Sequence, residues 1–268
     1  MKILKPIQRF FGQYATFLDR IYISLILLSF LFSATLFFLN HVDFHYKITA
    51  LFATNLTSLT WLQAVSLLLF GLVFLFYSMY IRSDSPRSST FIWGLGLFFW
   101  SACASIIVTN AIQITPFPPI DSLLVTVDHS ISVSTSALMK WTHDHPYFHK
   151  LFNFTYFGLV VELFAIPLLL TLFCARKSLS IFYIAQVSSM IVGSAIYFFF
   201  PTMAPSGIIH SPYFSHMQHD TSMRFYQVHH FLKPTSDDGG LIAFPSFHVI
   251  WAILLTNACR GKKIFFYP

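Results

Sequence analysis

"FIWGLGLFFWSACASIIVTNAIQI", residues 91–114, runs for twenty-four positions without an aspartate, glutamate, lysine or arginine. A bilayer core about 30 Å thick is crossed by roughly 20 helical residues, so the stretch predicts a membrane span. Five more runs are similarly apolar, with Glu162 in the third of them the one charged residue: Ile21–Leu39, Trp61–Ile81, Phe154–Ala175, Leu179–Phe200 and Pro245–Cys259. The whole 268-residue chain is 56% hydrophobic and only 10% charged, with a mean hydropathy of +0.66. Soluble domains carry about 25% charged residues. The expected fold class is therefore all-α, a polytopic transmembrane helix bundle of about six spans. The first span has a polar lead of about 20 residues and is followed by Leu-Asn-His-Val, not by small cleavage-site residues, so it reads as a retained anchor.

The net charge of +6 does not point to nucleic acid, because the basic residues stand singly between apolar stretches. Their placement instead orients the chain. Lys2, Lys5, Arg9 and Arg20 precede the first span; Arg82 and Arg87 follow the second; Arg176 and Lys177 follow the fourth; Arg260, Lys262 and Lys263 follow the sixth. The longer alternate loops hold only Lys47, Lys140, Lys150, Arg224 and Lys233. The N-terminus is thus expected in the cytoplasm. All 12 histidines and seven of the 10 acidic residues then fall on the outer side or at its boundary. The expected location is a bacterial inner membrane, with the polar chemistry facing the periplasm or exterior.

Two regions are expected: 1–115, with three spans, and 116–268. Asn110 and Gln113 near the end of the third span are expected to hydrogen-bond neighbouring helices. The prolines of "TPFPPID", residues 115–121, stop that span. Beyond them Ile120, Leu123, Leu124, Val127, Ile131 and Leu138 recur at mostly helical spacing, with Asp121, Asp128 and Lys140 at other positions. This predicts one amphipathic helix on the membrane surface, packed over the bundle. "HDHPYFH", residues 143–149, spaces His145 and His149 at i, i+4, but Pro146 intervenes and no further ligand is evident. No metal is expected there, nor from His216, His219, His229 and His230. Cys103, Cys174 and Cys259 all lie inside spans and read as small buried hydrophobes. Glu162 is the one charged residue well inside a span. Such groups are costly in lipid, so it is expected to face the bundle and to bond a polar residue such as Gln186.

The chemistry gathers at "GGLIAFPSFHVIWAILL", residues 239–255. Proline is favoured at the first helical position, so Pro245 is expected to begin the last span, with Ser246, Phe247 and His248 completing its first turn. Unpaired N–H groups and the positive dipole end make that turn an anion site. Gly239 and Gly240 let the backbone come close to a ligand. A histidine there can protonate a departing alkoxide. A helix N-terminus disfavours imidazolium, so His248 needs a bound phosphate, or a carboxylate such as Asp237 or Asp238, to act as the acid.

These residues resemble the PAP2 (type-2 phosphatidic acid phosphatase) superfamily, in its inositolphosphotransferase and inositol phosphorylceramide synthase-like branch. "FPSFHVIWAILL" resembles that family's second motif, whose histidine, here His248, donates the proton to the leaving group. "FFFPTMAP", residues 198–205, is similar to the Phe-Pro-x-x-x-Pro segment of that branch, and "PPID" with Asp128 to its outer segment. The resemblance implies lipid phosphates or phosphodiesters as substrates and membrane lipids as partners. It implies no metal, no organic cofactor and no nucleic acid. His248 is the expected catalytic residue; Ser246, Phe247, Arg224 and Lys233 are expected to hold phosphate. The family's nucleophile is a second histidine, paired with an aspartate in a later motif, and no His or Asp follows His248. The basic first motif of the phosphatase branch is absent too. With the apolar Ile264–Pro268 following a basic cluster, the domain is expected to be incomplete and inactive by itself. A transporter using Glu162 and the outer histidines, and a non-catalytic membrane scaffold, stay open as alternatives.

Overall fold

In a computed structural model of the protein, the structure describes residues 16–40, 60–173, 176–232, 235, 240 and 242–260, and the described residues are helical with no strand. The helices are α1 (Phe17–Asn40), α2 (Thr60–Tyr80), α3 (Pro86–Ala111), α4 (Asp121–Ser130), α5 (Thr135–Asp144), α6 (Pro146–Phe173), α7 (Arg176–Phe199), α8 (His216–His229) and α9 (Phe247–Cys259). Helices are the natural result for apolar runs of this length, since they satisfy every backbone polar group within the segment. Of the described helices, α1, α3, α6 and α7 are long and apolar enough to cross a membrane; Ala64–Tyr80 within α2, and α9, are apolar but shorter. The six expected spans thus resolve into four of full crossing length and two short ones.

Lipid tails are as apolar as leucine, so packing and buried polar contacts must hold such helices together. Helices α1, α3 and α7 meet around Tyr22, Leu97, Tyr183 and Val187, all buried. The Tyr22 hydroxyl donates to the Leu97 carbonyl at 2.7 Å and lies 3.0 Å from Ser101 Oγ. Helices α2 and α3 form a hairpin whose turn is closed by Ser78 and Ser89, each hydroxyl donating to the other residue's carbonyl. Close approach is possible because Gly71 leaves room for the Trp100 ring, which a Cβ would meet at 2.2 Å.

At one end of the bundle, Asp19 joins the same three helices. Its Oδ2 accepts from Arg176 Nη2 at 2.7 Å and from the Thr16 amide and hydroxyl at 2.8 and 2.7 Å. Its Oδ1 accepts from Trp93 Nε1 at 3.2 Å and Ser180 Oγ at 3.3 Å. The Arg176 guanidinium lies 4.2 Å from the Trp93 ring centroid. Thr16 and Asp19 also form a reciprocal cap at the start of α1, because the Asp19 amide donates back to Thr16 Oγ1.

Four expectations are corrected. The single surface helix is two, α4 and α5: Ser132 takes φ 61° between them, and Ser134 caps α5 by accepting from the Ala137 amide. Its apolar residues do not cover the bundle, for Leu123, Val127, Ile131 and Leu138 are exposed, whereas Asp121 is buried. Glu162 does not face the bundle. The inward seam of α6 is taken by Leu159, Leu163, Ile166 and Leu170, and a residue adjacent to Leu163 is turned about 100° away from it. Glu162 is exposed, and the Oε1 of its expected partner Gln186 is buried with no hydrogen bond. Lastly, Gln113 is buried and, among the described residues, neither of its amide atoms has a hydrogen-bond partner on a neighbouring helix, while Asn110 donates to the Ile106 carbonyl. Cys103 and Cys259 are buried, Cys103 donating to the Ala64 carbonyl, and Cys174 lies outside the described residues.

Candidate functional site

The site is built on a strap, residues 198–205, that follows α7. The Thr115 hydroxyl donates to the Phe198 carbonyl, and the Ile120 amide donates to the Pro201 carbonyl at 2.9 Å. Asp121 Oδ2 accepts from the Met203 amide at 2.8 Å. Ala204 has φ 77°, a left-handed value that costs a residue with a Cβ about 1–3 kcal/mol. The Asp121 carboxylate is what holds that conformation. On its other side the strap receives the Phe244 amide through Thr202 Oγ1, at 3.0 Å. The chain entering α9 is thereby fixed to the chain leaving α7.

Burial pushes the Asp121 carboxyl above the ordinary carboxylate range, while the Met203 N–H bond pulls it down. A raised folded value means that this group's contribution to stability is fully present below the unfolded pKa, about 3.9. It is lost as pH rises through the raised value. Asp121→Asn is expected to remove that slope, seen as a difference between the two thermal unfolding profiles between about pH 3 and pH 7. Asp121→Ala leaves the Met203 N–H unpaired and is expected to cost about 1–3 kcal/mol. Profiles of equal slope for wild type and Asp121→Asn would remove Asp121 from the clasp.

Helix α9 begins at Phe247, with Ser246 as its N-cap. This corrects the expectation that Pro245 is the first helical residue: it lies one position before the cap, and Ser246, with extended backbone angles, holds the N-cap position. Ser246 makes no capping hydrogen bond with its side chain. The amides of Phe247, His248 and Val249, the first three helical positions, have no intrahelical acceptor; the first helical bond is from Ile250 N to the Ser246 carbonyl. His248 is half-buried at the second helical position. Its ring stacks on Tyr156 of α6, with centroids 4.1 Å apart and planes 14° apart, and Trp251 stands at 5.9 Å. Gly193 of α7 allows this start to sit close: a Cβ there would meet the Phe247 ring at 2.9 Å and Pro245 Cγ at 3.3 Å.

Arg224 is buried in α8 at 5% exposure. Helix α8 is laced to the segment leading into His248 by two bonds between Gln227 and Thr235, and by the Gly240 amide donating to Thr221 Oγ1. Lys233, Gly239, Asp237 and Asp238 lie outside the described residues. The structure thus brings Ser246, Phe247 and His248 together and puts Arg224 on the helix tied to them.

Three of the other histidines lie at helix ends. His145, His229 and His230 each donate Nδ1–H to the carbonyl four residues back and stack on the aromatic ring there: Trp141, Phe225 and Tyr226 respectively. That aromatic-x-x-x-His spacing is visible in the sequence and was missed. Among the described residues no three His, Cys, Asp or Glu side chains gather as a metal site. Missed as well was Tyr156 as the ring beneath His248, a contact between residues 92 positions apart for which the sequence holds no signal.

A family model described as the PAP2 superfamily matches residues 122–267. Comparison with curated proteins and with solved structures found no match.

Proposed function

The chain belongs to the PAP2 superfamily, and from that premise we propose that it is a phosphatase-like integral membrane protein whose site binds the phosphoryl group of a membrane lipid. The supporting observation is that the matched residues contain the strap, α8 and the free first turn of α9 with His248. Phosphate oxygens would accept from the amides of Phe247, His248 and Val249 and from Ser246 Oγ, with Arg224 and Lys233 as the cationic side chains of the outer segment that precedes them. In the finer reading the protein is an inositolphosphotransferase-like member, with its site at the outer face of a bacterial inner membrane.

In the complete reaction a histidine attacks phosphorus, an N–P bond forms, and the P–O bond to the leaving group breaks. His248 gives its proton to the departing oxygen. The bound phosphoryl group supplies the negative charge that lets an imidazolium persist at a helix N-terminus. Among the described residues, the rings recorded beside His248 are those of Tyr156 and Trp251, with no second imidazole.

Binding tests this directly. Inorganic phosphate or tungstate added to the detergent-solubilised chain should bind saturably, by calorimetry, and His248→Ala or Ser246→Ala should weaken it at least about tenfold, the 1.4 kcal/mol of one lost charge-assisted bond. Binding that is absent, or indifferent to both substitutions, would favour a scaffold in which Pro-Ser-x-His serves only to start a helix.

A further inference from the structure

A second candidate site is lined in part by the strap residue Met203. The turn Pro116–Pro119, Met203 and the Phe225–His230 end of α8 enclose a pocket of about 330 Å³. This is at the lower end of the range for small-molecule sites, about 300–1,000 Å³, room for one chain segment or ring system. Its walls offer an anion almost nothing. Three of the four turn residues are prolines with no N–H. The Phe117 amide is engaged by Thr115 Oγ1 at 3.3 Å, and the Met203 amide by Asp121. Phe117 is held by its neighbours, with the rings of Phe198 and Phe199 at 5.9 and 5.3 Å.

The imidazoles do not supply a cation inside. His229 lies flat on Phe225 at 3.8 Å, its Nδ1–H given to the Phe225 carbonyl and its Nε2 buried without a partner. Burial pushes its pKa below the usual histidine value, so the ring is neutral at physiological pH. Polarity is confined to the rim, where His230 and Tyr226 are exposed. His230 gives Nδ1–H to the Tyr226 carbonyl at 2.7 Å, which directs its other nitrogen to incoming groups.

We propose that this pocket binds an uncharged hydrocarbon group, a chain or a ring, of a lipid-like ligand whose hydroxyl or ester rests on Tyr226 and His230 at the rim. The proposal is independent of phosphoryl chemistry at His248. The test uses the full chain in lipid nanodiscs with two probes, a long-chain alcohol carrying a mid-chain diazirine and a benzophenone-bearing alcohol, followed by mass-spectrometric mapping of the photolabel. Saturable labelling of residues 116–119 or 225–230 by either probe supports the site and tells chain from ring. Met203→Trp, which fills the space, should reduce that labelling at least tenfold. Tyr226→Glu, at an exposed position where folding is not at stake, should reduce it by placing an anion at the rim. Inorganic phosphate should not protect. Labelling found only on exposed helix faces such as Val161 and Ile253, labelling unchanged in Tyr226→Glu, or protection by phosphate would overturn the proposal.

Discussion

Asp19→Ala is expected to destabilise the protein by about 3–5 kcal/mol, the cost of removing one partner of a buried ion pair. The carboxylate is wholly buried and takes five hydrogen bonds from residues preceding α1, within α3 and within α7. Without it, the Arg176 guanidinium stays 18% exposed beside the Trp93 ring with its anion gone, and the Trp93 N–H loses its acceptor. Both groups then carry a desolvation penalty that no solvent relieves. In a detergent melt the loss should appear as a drop on the order of 10 °C. Removing both charges in Asp19→Leu/Arg176→Met should cost less than removing the acid alone, because apolar packing can stand in for a buried pair but nothing stands in for half of one. A single variant that melts within a degree or two of wild type would show that the three helices are held by side-chain packing alone.

That cluster also shows where sequence reading stops. Arg176 reads as one more basic residue in a positive-inside loop, and Asp19 as polar lead before a span; their pairing across 157 positions leaves no local trace. The bundle itself was legible because lipid admits only long unbroken apolar helices, and span positions followed within a few residues. Caps decided the errors. Pro245 satisfied one rule for starting a helix and Ser246 another, and the serine prevailed. Glu162 was expected inward from the cost of charge in lipid, yet the leucine seam of α6 fixes the helix rotation and carries Glu162 outward. The histidines of the long loops suggested ligands, while the aromatic ring four residues before three of them already explained their presence. Of the site, Pro-Ser-x-His and the Phe-Pro strap were readable as motifs. The buried Asp121 that holds the strap was read as a solvent-facing residue, because helical periodicity does not show which side of a surface helix a turn will bury.

A form of the protein that holds the superfamily's histidine nucleophile is expected to turn over a lipid phosphate, with His248 as the acid. In that active form His248→Ala should lower kcat by about 10²–10⁴-fold, the usual worth of a positioned general acid. The leaving group provides the decisive comparison. An alkoxide cannot depart without a proton, whereas p-nitrophenolate can, so the loss should be large for an alkyl phosphate and small for the aryl one. Tyr156 refines the comparison because its ring lies flat against the imidazole. Tyr156→Phe retains the stacked face and should stay near wild type. Tyr156→Ala frees the ring to rotate and should lower kcat for the alkyl substrate while sparing the aryl one, a pattern that general loss of fold would not produce. Equal losses for both leaving groups would make His248 a phosphate ligand and not the acid. Turnover by the 268-residue chain would place the nucleophile among the residues before His248, and exposed His230 would be an early candidate, since giving Nδ1–H to the Tyr226 carbonyl leaves its Nε2 lone pair free to attack.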